Sequence, residues 1–223
     1  MQQRREFLKR ASATIAALSA VSLSPSTTRA QRASDRLRIA CVGVGGRGSG
    51  VSAIAAGHGD VVMVCDADLR NAEAFKNRVK AENAVVVQDY RKVIDNKDVD
   101  VVIQGTPDHW HTKINVEALR AGKDVFSEKP LTLTIDEGKL LRNTVEETKR
   151  ILQNGTQQRC DNLFQTAVEL ARNGRLGKLT AVYVTVPFFT TKGGPYPAEE
   201  VPKELDWDLY TQNGEKLVFS QFF

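Results

Sequence analysis

The run Arg38-Ile39-Ala40-Cys41-Val42-Gly43-Val44-Gly45-Gly46-Arg47-Gly48 constrains this chain more than any other stretch. An apolar strand breaks there into glycines and passes straight into a helix-compatible segment carrying Val51, Ile54 and Ala55. Gly43, Gly45 and Gly48 have the spacing G-x-G-x-x-G. In a strand–turn–helix setting the first glycine permits a tight turn and the second lets the main chain approach a pyrophosphate. The third lets helix and strand pack closely. Unpaired N–H groups at the helix N-terminus then face the phosphates. The next apolar run, 61–64, ends at Asp66, 23 residues after Gly43. A carboxylate there accepts hydrogen bonds from the adenosine ribose and repels a 2′-phosphate, which favours NAD. Arg47 and Arg70 are near enough in sequence to leave NADP open.

Further strands follow at Val85-Val86-Val87, 99–105, Asp124-Val125-Phe126-Ser127 and from Ile151-Leu152 onward. Helical patterns separate them: 69–81, a short one at 91–94, one ending at Ala121 with Asp108 as candidate N-cap, and a long one reaching Arg150. Thr134-x-x-Glu137 opens the last as a capping box. Gly57 and Gly59, Gly122 and Gly174 suit positions just past helix ends. Strand and helix alternating in this way predict a doubly wound parallel sheet with helices on both faces.

Such sheets bind ligands at the carboxyl ends of their strands. Three segments arrive there: Thr106-Pro107-Asp108-His109-Trp110-His111, Ser127-Glu128-Lys129-Pro130, and Asn154 through Gln157 and Gln158. A lysine at such a rim stabilises an alkoxide developing on a carbinol, and burial would lower its pKa toward proton transfer. Gln157 and Gln158 reach a ligand by amide hydrogen bonds, or else form a satisfied inter-domain contact. His109 and His111, two apart, share no helix face, and no carboxylate–cysteine set completes a metal site. Cys41 and Cys65 fall inside core strands and read as packing.

Beyond the sixth strand, Asp161 caps a helix with Phe164, Ala167, Val168 and Ala171 on one face. Residues 178–186 alternate cleanly, the pattern of a strand with antiparallel neighbours and one covered face. From Pro187 onward the chain reads as loop. The expected organisation is a leader over 1–30, the nucleotide domain over 35–158, and over 159–223 the start of an α+β, mostly antiparallel-sheet domain.

Charge is informative only after the leader is set aside. Residues 1–30 hold Arg4, Arg5, Lys9, Arg10 and Arg29 against Glu6, which is the whole formal excess of +4. The remainder is balanced, which argues against a nucleic-acid partner. Paired arginines before a short run of small apolar residues predict a bacterial twin-arginine export signal, hence a periplasmic protein without a stable membrane anchor.

Gly43-Val44-Gly45-Gly46-Arg47-Gly48, Cys65-Asp66, Thr106-Pro107-Asp108-His109-Trp110-His111 and Ser127-Glu128-Lys129-Pro130 together resemble the Gfo/Idh/MocA oxidoreductases. The resemblance covers about residues 36–187 and implies a Rossmann domain followed by an open antiparallel sheet. It implies pyrophosphate contacts from Gly45, Gly46 and Arg47, and a ribose contact from Asp66. It places Thr106, Pro107 and His111 along the nicotinamide, Glu128 on its riboside and Lys129 beside the substrate. The implied activity is NAD(P)-dependent hydride transfer at a sugar or cyclitol hydroxyl, by a homo-oligomer when full length. Two alternatives stand beside it: a glycosidase of the same family acting by transient oxidation, and a non-catalytic dinucleotide-binding fragment. Family members continue well beyond Phe223 and usually carry a further histidine, so truncation in the second domain is expected.

Overall fold

The computed structural model describes residues 36–185 and 197–211; the expectations for the leader and for Val186 lie outside the described residues. Its strands are β1 (Leu37–Val42), β2 (Gly59–Cys65), β3 (Val85–Val87), β4 (Val101–Gln104), β5 (Asp124–Glu128) and β6 (Leu152–Gly155). All pair in parallel, in the order β3-β2-β1-β4-β5-β6. The order reverses between β1 and β4, and a crevice opens outside the carboxyl ends of those two strands. The helices are α1 (Gly46–Ala56), α2 (Leu69–Arg78), α3 (Arg91–Asp95), α4 (His111–Arg120), α5 (Ile135–Thr148), α6 (Asn162–Arg172) and α7 (Trp207–Tyr210).

Successive strand residues point to opposite faces, and two cores result. Ile39, Cys41, Val64 and Ile103 pack with Ala72 and Phe75 of α2 and the apolar side of α1. Ala40, Val42, Met63, Cys65, Val102 and Val125 pack with Ile114 and Leu119 of α4 and Leu141 of α5. Cover on both faces is why the strands read as continuous apolar runs. Burial pushes the Cys41 thiol up to about 12 and raises that of Cys65. Both are inert packing, as their positions suggested. Among the described residues no helix is long and apolar enough to cross a membrane.

The capping box forms as expected. Thr134 Oγ1 accepts from the Glu137 amide at 3.2 Å, and the Glu137 carboxylate accepts from the Thr134 amide at 3.0 Å. Thr134→Ala is expected to cost about 1 kcal/mol, read as a lower denaturation midpoint with an unchanged m-value.

Several local expectations are corrected. Asp108 caps nothing: Pro107 is extended, Asp108–Trp110 make one 3₁₀ turn, and α4 begins only at His111. Gly57 is not left-handed (φ −72°), whereas Gly122 and Gly174 are (φ 81° and 70°). The left-handed position after α5 is filled by Lys149, a residue without that preference. Residues 178–185 form no strand, and Val182, Tyr183 and Val184 are exposed. Alternation needs a hydrogen-bonded neighbour to become a strand, and none of the described residues supplies one. The tail read as loop instead holds α7. Its approach, at Leu205, bridges antiparallel to Asp68 on the sheet's rim.

Candidate functional site

The glycine turn is built by close approach. Gly43 sits at φ 73°, its N–H bonds Cys65 O at 2.8 Å, and a Cβ there would lie 2.5 Å from Thr106 N. A Cβ at Gly48 would lie 1.8 Å from Gly43 O, so only glycine lets α1 start this close to the β1 and β4 ends. Gly45 and Gly46 differ in kind. A Cβ on Gly45 meets only the Asn71 side chain at 3.3 Å, and one on Gly46 meets nothing within 4 Å. Open space therefore lies over the first turn of α1, where the amides of Gly46, Arg47 and Gly48 precede the first helical bond, Ser49 N to Gly45 O. A pyrophosphate fits that cradle.

Asp66 directly follows β2. Its Oδ2 accepts from the Val44 and Gly45 amides at 2.8 and 3.2 Å. Its Oδ1 accepts from the Asp68 amide at 2.9 Å and Asn71 Nδ2 at 3.4 Å. Burial outweighs these donors and holds the carboxyl above its ordinary pKa. Above it lies a cavity of about 480 Å³, lined by Gly43, Gly45, Gly46, Arg47, Asp66, Asn71, Gln88, Tyr90, Thr106, Pro107, Trp110, Leu209 and Tyr210 among others. That volume is within the range of small-molecule sites.

The two arginines left open by the sequence are both committed to carboxylates. Arg70 forks onto Asp68, with Nη2 to Oδ2 at 2.6 Å. Arg47 Nε bonds Glu128 Oε1 at 3.1 Å, and its Nη2 donates at 3.0 Å to Gln157 when that amide presents its oxygen. Arg47 thus ties the glycine turn to the ends of β5 and β6, three sites that lie far apart in sequence. Glu128 is buried and also accepts from the Lys129 amide at 3.1 Å.

His111 and Lys129 stand at the same rim in different surroundings, one buried and one exposed. His111 is fully buried, and both ring nitrogens face carbonyls, Nε2 that of Thr106 at 2.9 Å and Nδ1 that of Pro130. It fastens the β4 and β5 rim loops together and does not line the cavity. Lys129 is exposed, so the burial expected of it is not provided by the described residues. Its main chain is nonetheless held on both sides, by Glu128 and by the His111–Pro130 contact. Thr106 Oγ1 accepts from Gln104 Nε2 at 2.9 Å, one step of a buried chain through Ser127 to Asn115. No group of three or more potential metal ligands occurs among the described residues.

Sequence reasoning missed Asn71, Gln88, Leu209 and Tyr210. Asn71 and Gln88 carry no motif, and the two tail residues lie where only a loop was legible.

Residues 37–156 match an oxidoreductase family described as having an NAD-binding Rossmann fold. An inositol 2-dehydrogenase of Salmonella typhimurium is 31% identical over 171 residues, covering 74% of this chain and 50% of that protein. A glycosyl hydrolase family 109 protein of Shewanella pealeana is 30% identical over 157 residues, 65% of this chain and 34% of that one. The crystal structure of myo-inositol 2-dehydrogenase from Lactobacillus plantarum superposes with a TM-score of 0.57 at 27% identity, covering 64% of this chain and 43% of the other. The chain spans half or less of the length of these relatives. The family pattern runs through the same glycine turn, acidic strand end and Glu128-Lys129-Pro130 rim that the geometry joins, and the chain belongs to the Gfo/Idh/MocA oxidoreductases.

Proposed function

We propose that this protein is an NAD-dependent dehydrogenase acting on a ring hydroxyl of a cyclitol or sugar. The observation that carries the reading is the single rim on which Asp66 and the Arg47–Glu128–Lys129 group stand on opposite sides of an open glycine turn. Gly45, Gly46 and the first α1 amides hold the pyrophosphate, and Asp66 holds the adenosine ribose. With Arg47 and Arg70 each paired to a carboxylate, nothing in this group offsets Asp66's repulsion of a 2′-phosphate, which favours NAD over NADP. Glu128 orients the riboside on the other side. Lys129 stabilises the negative charge developing on the carbinol oxygen, and its acid–base partner comes from outside the described residues. A bound nicotinamide supplies the hydride acceptor. The inositol dehydrogenase relatives support a cyclitol as substrate; the full-length protein is a homo-oligomer, exported folded through its Arg4-Arg5 signal.

Calorimetry with NAD and NADP, followed by assay against inositols and hexoses, tests the reading. NADH formed in proportion to substrate oxidised is the expected result. Release of a chromogenic aglycone without added NAD would instead establish the glycosidase chemistry suggested by the family 109 relative. Absence of binding by either dinucleotide would refute both.

A further inference from the structure

The segment around α7 does not simply rest on the sheet; it is fastened at two places that flank the crevice. At one end Glu204 O accepts from the Leu69 amide and from Gln88 Nε2, both at 3.0 Å, and the Asp206 amide donates to Ala67 O at 2.9 Å. These anchors hold it to the turn after β2 and to the residue after β3. At the other end Tyr210 O accepts from His109 Nε2 at 2.9 Å and Trp110 Nε1 at 3.2 Å, on the turn after β4. In the sheet, β2 and β4 are separated by β1 alone. The segment therefore spans the carboxyl end of β1, over the glycine turn. One cavity is lined both by Leu209 and Tyr210 of the segment and by Asp66 and Pro107 of the sheet's rim. Trp207 stacks on Tyr210 at 5.5 Å and 11°, which fixes the plane of the phenol ring.

We infer that residues 203–211 form a strap that completes the adenosine end of the dinucleotide site, with Leu209 and Tyr210 as nucleotide-contacting residues and His109 as a positioning residue. This rests on the dinucleotide reading above. The half is identified by Asp66: the ribose-binding carboxylate stands on the β2 side of the turn, so the cavity on that side takes the adenosine. An adenosine there lies between an apolar wall of Pro107 and Leu209 and a phenol, the lining that small-molecule sites commonly use. Because ligand and strap share this wall, a nucleotide that binds under it must shift the strap's equilibrium toward the closed form by the same factor by which the closed strap strengthens binding.

ADP-ribose, which lacks the nicotinamide, is the probe. In the wild-type chain it is expected to bind by calorimetry and to slow hydrogen exchange at the Leu69 and Asp206 amides, the strap's two main-chain anchors. Tyr210→Ala is expected to raise its Kd at least tenfold. His109→Ala, which removes an anchor without touching the ligand, is expected to weaken binding less and to speed exchange at Asp206. If wild-type protein binds ADP-ribose but the anchors' exchange is unaltered, or Tyr210→Ala leaves Kd within twofold, the strap has no part in the site. The exchange measurement decides the matter even if Tyr210→Ala fails to fold. If wild-type protein binds neither ADP-ribose nor NAD, the dinucleotide reading falls and the strap's role falls with it.

Discussion

Gly48→Ala is expected to abolish NAD binding and to destabilise the fold, whereas Gly46→Ala is expected to impair binding alone. The added methyl at Gly48 would stand 1.8 Å from Gly43 O and 3.0 Å from Gly105 O, both main-chain atoms. The contact is two-sided, since a Cβ on Gly105 would meet Gly48 Cα at 2.4 Å. No rotamer relieves this, so α1 must move away from β1 and β4. Overpacking in a well-packed core costs about 1–3 kcal/mol, and backbone against backbone belongs at or above the top of that range. A melting temperature lower by roughly 5 °C or more follows for a chain of this size. The α1 amides would also be carried off the pyrophosphate position. At Gly46 the methyl enters open space, and alanine is favoured over glycine in a helix by up to about 1 kcal/mol. Stability should hold or rise. The space it enters is the phosphate cradle, so NAD affinity should fall tenfold or more. Melting and calorimetry on the two variants separate the glycine that packs from the glycine that makes room for ligand. Equal loss of stability in both would contradict the assignment.

That division was only half legible beforehand. The glycine spacing identifies the turn and its tight packing, because those demands act on neighbouring residues. The alternation of apolar runs with helices likewise carries the parallel sheet, since each strand is buried on both faces and each helix on one. What escaped were features set by distant chain. Arg47 meets Glu128 across 81 positions, and Gln88 meets Glu204 across 116. No local pattern encodes such pairs. Residues 178–185 show the reverse failure: a clean period of two is present, but without an adjacent strand its peptide groups stay with solvent. The short α7 has too few residues for periodicity to mark. It is held by main-chain acceptors on Glu204 and Tyr210, which are independent of side-chain identity. His111 was legible as a rim residue but its contacts with the Thr106 and Pro130 carbonyls were not, because a histidine at a rim reads the same whether it faces substrate or ties two loops.

Asp66→Asn is expected to weaken NAD binding about 10- to 100-fold, the value of a hydrogen bond to a charged acceptor. NADP binding should fall far less, because the substitution also removes the charge that repels the 2′-phosphate. The measurement is the ratio of the two dissociation constants, and an unchanged ratio would remove Asp66 from the ribose site. The pH dependence follows from the same residue. Burial holds its carboxyl above the ordinary pKa in spite of four N–H donors. Ribose hydroxyls need the ionised form as acceptor, so NAD affinity should be level above that raised pKa and fall as pH drops through it. The fall begins at a higher pH than an unperturbed aspartate would give, and Asp66→Asn should abolish it. Stability runs the other way. A group that binds its proton more tightly folded than unfolded makes ionisation costly to the fold, and this cost disappears as pH falls below both pKa values. At this one position mild acid therefore relieves the empty fold while weakening its hold on NAD.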